Sequence, residues 1–160
     1  MSKVRDQNKN LFAENSYITE KAGFESISLD NSQEYSPAVE IDLKEVIKSR
    51  HSLVEVSVDF TAETMNNGLI VCSVTKGEEV LLWRAISIDE YTNPLLFGQF
   101  QKGYLVVSLT SAFKNNSAIE GAKLKVLYWN KNKQNIQLKN LFVQITPGNK
   151  YEYATIEPID

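Results

Sequence analysis

Few residues in this chain are equipped for catalysis. Among 160 residues there is one histidine, His51, and one cysteine, Cys72. A Ser-His-Asp or Cys-His arrangement would have to use His51. It stands between Arg50 and Ser52 at an expected turn, with no nucleophile elbow or base partner nearby, and reads as a surface histidine. A zinc site built from several histidines or cysteines cannot be assembled from one of each. Cys72 lies in the apolar run 69–74, so it reads as a small buried hydrophobe. A reactive thiol needs a basic, partly exposed setting, which its neighbours do not provide. An intramolecular disulfide is impossible. The seven glycines are scattered at turns and form no phosphate-cradling loop. Paired carboxylates are the remaining route, as in glycoside hydrolysis. Glu78-Glu79 and Asp89-Glu90 are adjacent acids in loops, however, and read as solvated turns. The chain is read as a non-enzyme without cofactor or transition metal.

The aromatics carry more information. Trp83, Tyr91, Phe97, Phe100, Tyr104, Tyr128 and Trp129 gather in the second half. A flat ring can stack on the apolar face of a sugar while neighbouring amides or charges bond its hydroxyls. The competing use is core filling, because aromatics carry large apolar area. Leu81, Leu82 and Ile86 flank Trp83 and draw it toward the core. Trp129 falls by alternation on the face of Lys123 and Lys125, where it is either exposed or covered by a loop or the N-terminal tail. Asn130, which follows it, can both donate and accept hydrogen bonds. The candidate ligand-binding residues are therefore Trp129 and Asn130, with Trp83 and Arg84.

The elements that would position them are strands. Residues 123–129 place Leu124, Val126 and Tyr128 on one face and the lysines on the other, the period of a half-buried strand. A polar turn, 130–135, leads to a second strand at 136–145. There the apolar phase slips between Leu138 and Leu141, which predicts a β-bulge near Lys139-Asn140. Residues 53–60 alternate, with Val54, Val56, Val58 and Phe60 on one face. The run 69–74 suits a central strand buried on both faces. Further strands are expected at 80–88, 103–109 and 23–29, at 38–43 followed by a turn or one helical turn, and at 151–156. Residues 1–20 have no sustained period and read as a mobile tail. Residues 21–160 read as a single domain. Regular turns and no long helix predict an all-β fold, an antiparallel β-sandwich of the jelly-roll kind.

Composition sets the outer bounds. Hydrophobic residues make up 42%, enough for a core, and charged residues 23%. The net charge of -3 gives no basic excess to attract nucleic acid. No apolar run approaches the ~18 residues of a membrane span. The polar N-terminus lacks the apolar core of a signal peptide. The compartment stays open between cytoplasmic and a segment of a longer secreted or membrane-attached protein.

Several stretches resemble strands of carbohydrate-binding-module-like (galactose-binding-like) jelly rolls found in bacterial surface and envelope proteins. Residues 100–109 resemble their "Trp-Gln-x-x-Tyr" strand, with Phe100 in place of the tryptophan. Residues 124–130 resemble the penultimate strand, 136–145 the closing strand, and Gly23-Phe24-Glu25 the opening one. The resemblance implies a glycan as ligand class. In relatives with a structural calcium, the opening Glu and an acidic position in the closing strand supply oxygen ligands. Here Glu25 is present, but Lys139-Asn140 replaces the acids, which argues against calcium. Two function classes follow: a non-catalytic accessory or glycan-binding module, and a structural or protein-interaction domain of a larger envelope protein with no small ligand.

Overall fold

The structure, a computed structural model, describes residues 19–65 and 67–147. Strand alternation is realised almost residue by residue. In β4 (Leu53–Thr61), Val54, Val56, Val58 and Phe60 are at most 1% exposed. In β8 (Ala122–Trp129), Leu124, Val126 and Tyr128 are equally buried, and Lys123 and Lys125 face out. The remaining strands are β1 (Thr19–Ala22), β2 (Ser26–Leu29), β3 (Val39–Asp42), β5 (Leu69–Lys76), β6 (Glu79–Ser87), β7 (Gln101–Ser108) and β9 (Ile136–Thr146). A single helical turn, α1 (Leu43–Val46), follows β3. The Asp42 side chain caps it by accepting from the Lys44 amide.

The strands pair antiparallel in a nested order. β5 pairs with β6, β4 with β7, β3 with β8, and β1 and β2 with β9. From β2 to β9, every step along the chain changes sheet except the β5–β6 hairpin. One sheet runs β1/β2-β9-β4-β7 and the other β3-β8-β5-β6. A long hairpin wound on itself in this way is a jelly roll. The core lies between the sheets and is made of the inward rows of both.

The phase slip in β9 is a bulge, as the apolar pattern predicts. Ser57 pairs with Phe142 and Asp59 with Lys139, so Val58 faces two residues, Asn140 and Leu141. Asn140 takes a positive φ of 54°, and its side chain donates to Asp59 at 2.9 Å. The same irregularity divides the opening strand. The expected strand at 23–29 is instead β1 and β2, broken at 23–25. Gly23 N–H donates to Leu141 and Asn140 N–H to Glu25 across the gap. A Cβ on Gly23 would lie 2.9 Å from Val39 Cγ2 and 3.0 Å from Leu141 Cδ2, so glycine is the residue that fits. Thr19 and Glu20, assigned above to the tail, already pair with β9. The tail reading for 1–18 and the strand at 151–156 lie outside the described residues.

Candidate functional site

The outer face of the β3-β8-β5-β6 sheet carries two of the candidate residues, Trp129 and Trp83. Strand register places Glu40, Lys125, Ser73 and Trp83 in one cross-strand row. Trp129 and Leu69 stand in another row four residues along, and Tyr35 bridges to Trp129 at the sheet margin. Trp129 is half-buried because the loop 30–36 folds over it. Its indole Nε1–H donates to Glu34 Oε2 at 3.1 Å. The Tyr35 ring stacks on it, centroids 6.1 Å apart and planes inclined by 19°. Lys131 Nζ lies 5.9 Å from its ring centre. A hydrogen bond to Glu34, with smaller effects of desolvation and of that residue's charge, raises the Tyr35 phenol above its ordinary range. The Glu34 carboxylate thus holds the Trp129 indole and lies beside the Tyr35 phenol.

Tyr35 is 54% exposed and forms the outer ring of the pair. Beside it opens a shallow cleft of about 450 Å³ lined by Tyr35, Ser36, Ala38, Glu40, Lys125 and Leu127. Lys125 Nζ and Glu40 Oε1, 4.0 Å apart, put a donor and an acceptor on its wall. Ala38 and Leu127 add apolar surface. The arrangement offers a flat apolar platform, a rigid backing ring and polar groups of both kinds within one open cleft.

Asn130 belongs to the scaffold beneath this site and is not an exposed ligand-binding residue. It is 0% exposed. Its Nδ2 donates to the carbonyls of Asp30, Gln33 and Gln134 at 3.3, 3.1 and 2.9 Å, and its Oδ1 accepts from the Gln134 amide at 3.2 Å. Burying an amide requires such partners, and here they fasten the loop 30–36 to the β8–β9 turn. Ser36 supports the same loop: its hydroxyl accepts from Tyr128 N–H at 2.9 Å and donates to the Pro37 carbonyl.

Trp83 is 48% exposed, which corrects its expected place in the core. Leu82 is the residue that turns inward, and Trp83 faces out from β6, at the edge of the sheet. Arg84 is also exposed, on the opposite face at the same edge. From the register, Trp83 lies two strands across and four residues along from Trp129, about 16 Å away. Trp83 and Arg84 therefore do not join the Tyr35–Trp129 cleft.

The other chemistry-bearing residues have structural roles. Cys72 is 0% exposed between the sheets, and burial pushes its thiol up to about 12. His51 is half-buried just before β4 rather than on the open surface, with Nδ1 3.2 Å from Thr110 Oγ1. The neighbouring Arg50 donates to the Thr110 and Phe113 carbonyls. Asp89 accepts from the Asn67 amide through both oxygens at 3.0 Å. Lys139 reaches over the Phe100 ring, 4.2 Å from its centre, and Glu25 points to solvent. Among the described residues, no three His, Cys, Asp or Glu side chains gather where a metal could sit.

Sequence reading missed Tyr35, in a turn-rich loop with no strand period. The available signal was an aromatic immediately before Ser36-Pro37, between two strand candidates.

No protein-family model matches this chain, and no curated protein does. Several solved structures match this chain at low identity. A TNF, Eiger, from S. frugiperda is 11% identical, with 85% of this chain and 94% of that one covered and a TM-score of 0.49. The VP2 subviral particle of infectious bursal disease virus is 10% identical over 84% of this chain and 33% of that one, TM-score 0.45. The CBM22-1 xylan-binding domain of Paenibacillus barcinonensis Xyn10C is 10% identical over 84% and 86%, TM-score 0.40. The jelly-roll assignment rests on the nested strand pairing itself.

Proposed function

We propose that this domain is a non-catalytic carbohydrate-binding module whose ligand lies in the cleft between β3 and β8. The observation that carries the reading is the exposed Tyr35 ring, backed by Trp129, whose indole Glu34 holds, and set beside Glu40 and Lys125. A sugar ring stacks its apolar face on Tyr35, with Lys125 donating to and Glu40 accepting from its hydroxyls. Trp129 acts as the backing ring. Trp83 lies on the same outer face, within reach only of a ligand several sugars long. The resemblance of 100–109 and 124–130 to strands of carbohydrate-binding-module-like jelly rolls points the same way.

Affinity electrophoresis against a panel of soluble polysaccharides tests the proposal. Wild-type protein is expected to be retarded by at least one. Tyr35→Ala should lose that retardation with its melting temperature nearly unchanged, because the ring is largely exposed. Absence of retardation by every polysaccharide, or an unaffected Tyr35→Ala variant, overturns the reading.

A protein-interaction role is the second reading, and a separate observation favours it. Leu95 is 88% exposed, with Leu96 at 37% and Met65 at 45%. These residues lie on two loops joined by the Gly98 amide to the Ala62 carbonyl. Exposed apolar groups gathered on adjoining loops mark contact surfaces.

A further inference from the structure

Sheet edges are pairing sites unless something blunts them. Among the described residues, two of the four edges are short or broken. β1/β2 is broken at 23–25, and β3 has only four residues and follows Pro37 closely. β7 carries Lys102 and packs against the turn Ile88–Tyr91. β6 is the longest: it runs nine residues, contains no proline or lysine, and ends its sheet among the described residues, with one extra residue, Leu81, and the charged Glu79 and Arg84 as its only blunting features. Val80 is 60% exposed and Trp83 48%. Arg84 Nη1 donates to the Trp83 carbonyl at 3.0 Å, which holds the guanidinium close to the strand.

We propose that β6 pairs antiparallel with β6 of a second copy of this chain, about a two-fold axis between Leu81 and Leu82. Charge complementarity selects this register. It sets Glu79 opposite the partner's Arg84 and Arg84 opposite the partner's Glu79, so both charged pairs form. It also sets Val80 opposite the partner's Trp83, covering two exposed apolar side chains on each subunit. Opposite residues in an antiparallel pair share a face of the sheet. That condition is met only because of the irregularity in β6. Val74 pairs with Leu82 and Thr75 with Val80, so Leu81 is an extra residue. Val80 and Trp83, three apart, consequently both lie on the outer face, opposite Thr75 and Ser73. Glu79 and Arg84, five apart, both lie on the other, opposite Lys76 and Cys72. An uninterrupted strand would have split each pair between faces. The interface is one strand edge and a tryptophan per subunit, at the small end of specific interfaces, so the dimer is weak and concentration-dependent. The Tyr35 cleft lies on the other margin of the sheet, and the pairing leaves it open.

Sedimentation velocity on the full chain, from about ten micromolar to about one millimolar, tests this, working in the range expected for a small interface. Wild type should shift from monomer to dimer. E79R and R84E should each weaken the dimer about tenfold or more, because each replaces two attractive pairs with two repulsive ones. The double swap E79R/R84E should restore it to within about threefold, since the opposite charges again face each other. Trp83→Lys, at an exposed position, should also weaken it and serves if either reversal perturbs folding. A monomer throughout overturns the proposal. So does self-association that ignores E79R, or a double swap that fails to restore it.

Discussion

Asn130→Ala should destabilise the domain by about 3 kcal/mol, although it removes only one amide. The Asn130 amide has two N–H groups for three carbonyls, and its oxygen accepts one further bond. At most three good bonds therefore hold at once, and each contributes roughly 1 kcal/mol net. The groups left behind belong to loop 30–36 and to the β8–β9 turn, where water reaches some of them, which keeps the loss below the penalty for fully buried orphans. For a chain of this size 1 kcal/mol corresponds to a melting shift of about 2–4 °C, so a drop of about 6–12 °C is expected. The effect should not stop at stability. Glu34 and Tyr35 lie on the loop that Asn130 holds, so Trp129 loses part of its cover and its fluorescence should shift to the red. Differential scanning calorimetry and tryptophan emission on the variant measure both. Trp83 contributes to emission, and Trp83→Phe as background isolates Trp129. A melting drop below about 2 °C with unchanged emission would refute the view that Asn130 organises the site.

Three further outcomes are expected. Val126→Ala should cost about 1–3 kcal/mol and Lys125→Ala about 0.5 or less, because Val126 is 0% exposed and Lys125 faces solvent; urea melts ranking them the other way would invert the register of β8. Gly23→Ala should destabilise by about 1–3 kcal/mol through overpacking against Val39 and Leu141, and a variant melting at the wild-type temperature would show that the opening strands shift freely. Cys72 should react with a thiol reagent only as fast as the protein opens, since it is 0% exposed and its thiolate is disfavoured; rapid labelling of native protein at neutral pH would contradict its placement.

Much of the fold is legible in the sequence because burial imposes a period on it. Val54 to Phe60 and Leu124 to Tyr128 could be assigned a face from alternation alone, and the β9 bulge follows from the slipped phase between Leu138 and Leu141. These are local consequences of a strand having two sides. The candidate site is different, because it depends on which distant segments meet. Trp129 was legible as an outward residue on the lysine face. That a loop about 95 positions earlier would cover it, bond its indole and stack Tyr35 upon it depends on β3 pairing with β8. Asn130, whose polar amide made it a candidate ligand contact, is buried for the same reason: three carbonyls from two separate loops converge on it. The exposure of Trp83 was likewise decided by sheet order. A continuous apolar run reads as buried when strands flank it on both sides, as they do for β5. β6 has the same kind of sequence at the edge of the sheet, so its outward tryptophan meets solvent. Side-chain periodicity determined which way each residue points, and only the tertiary pairing decided what lies there to cover it.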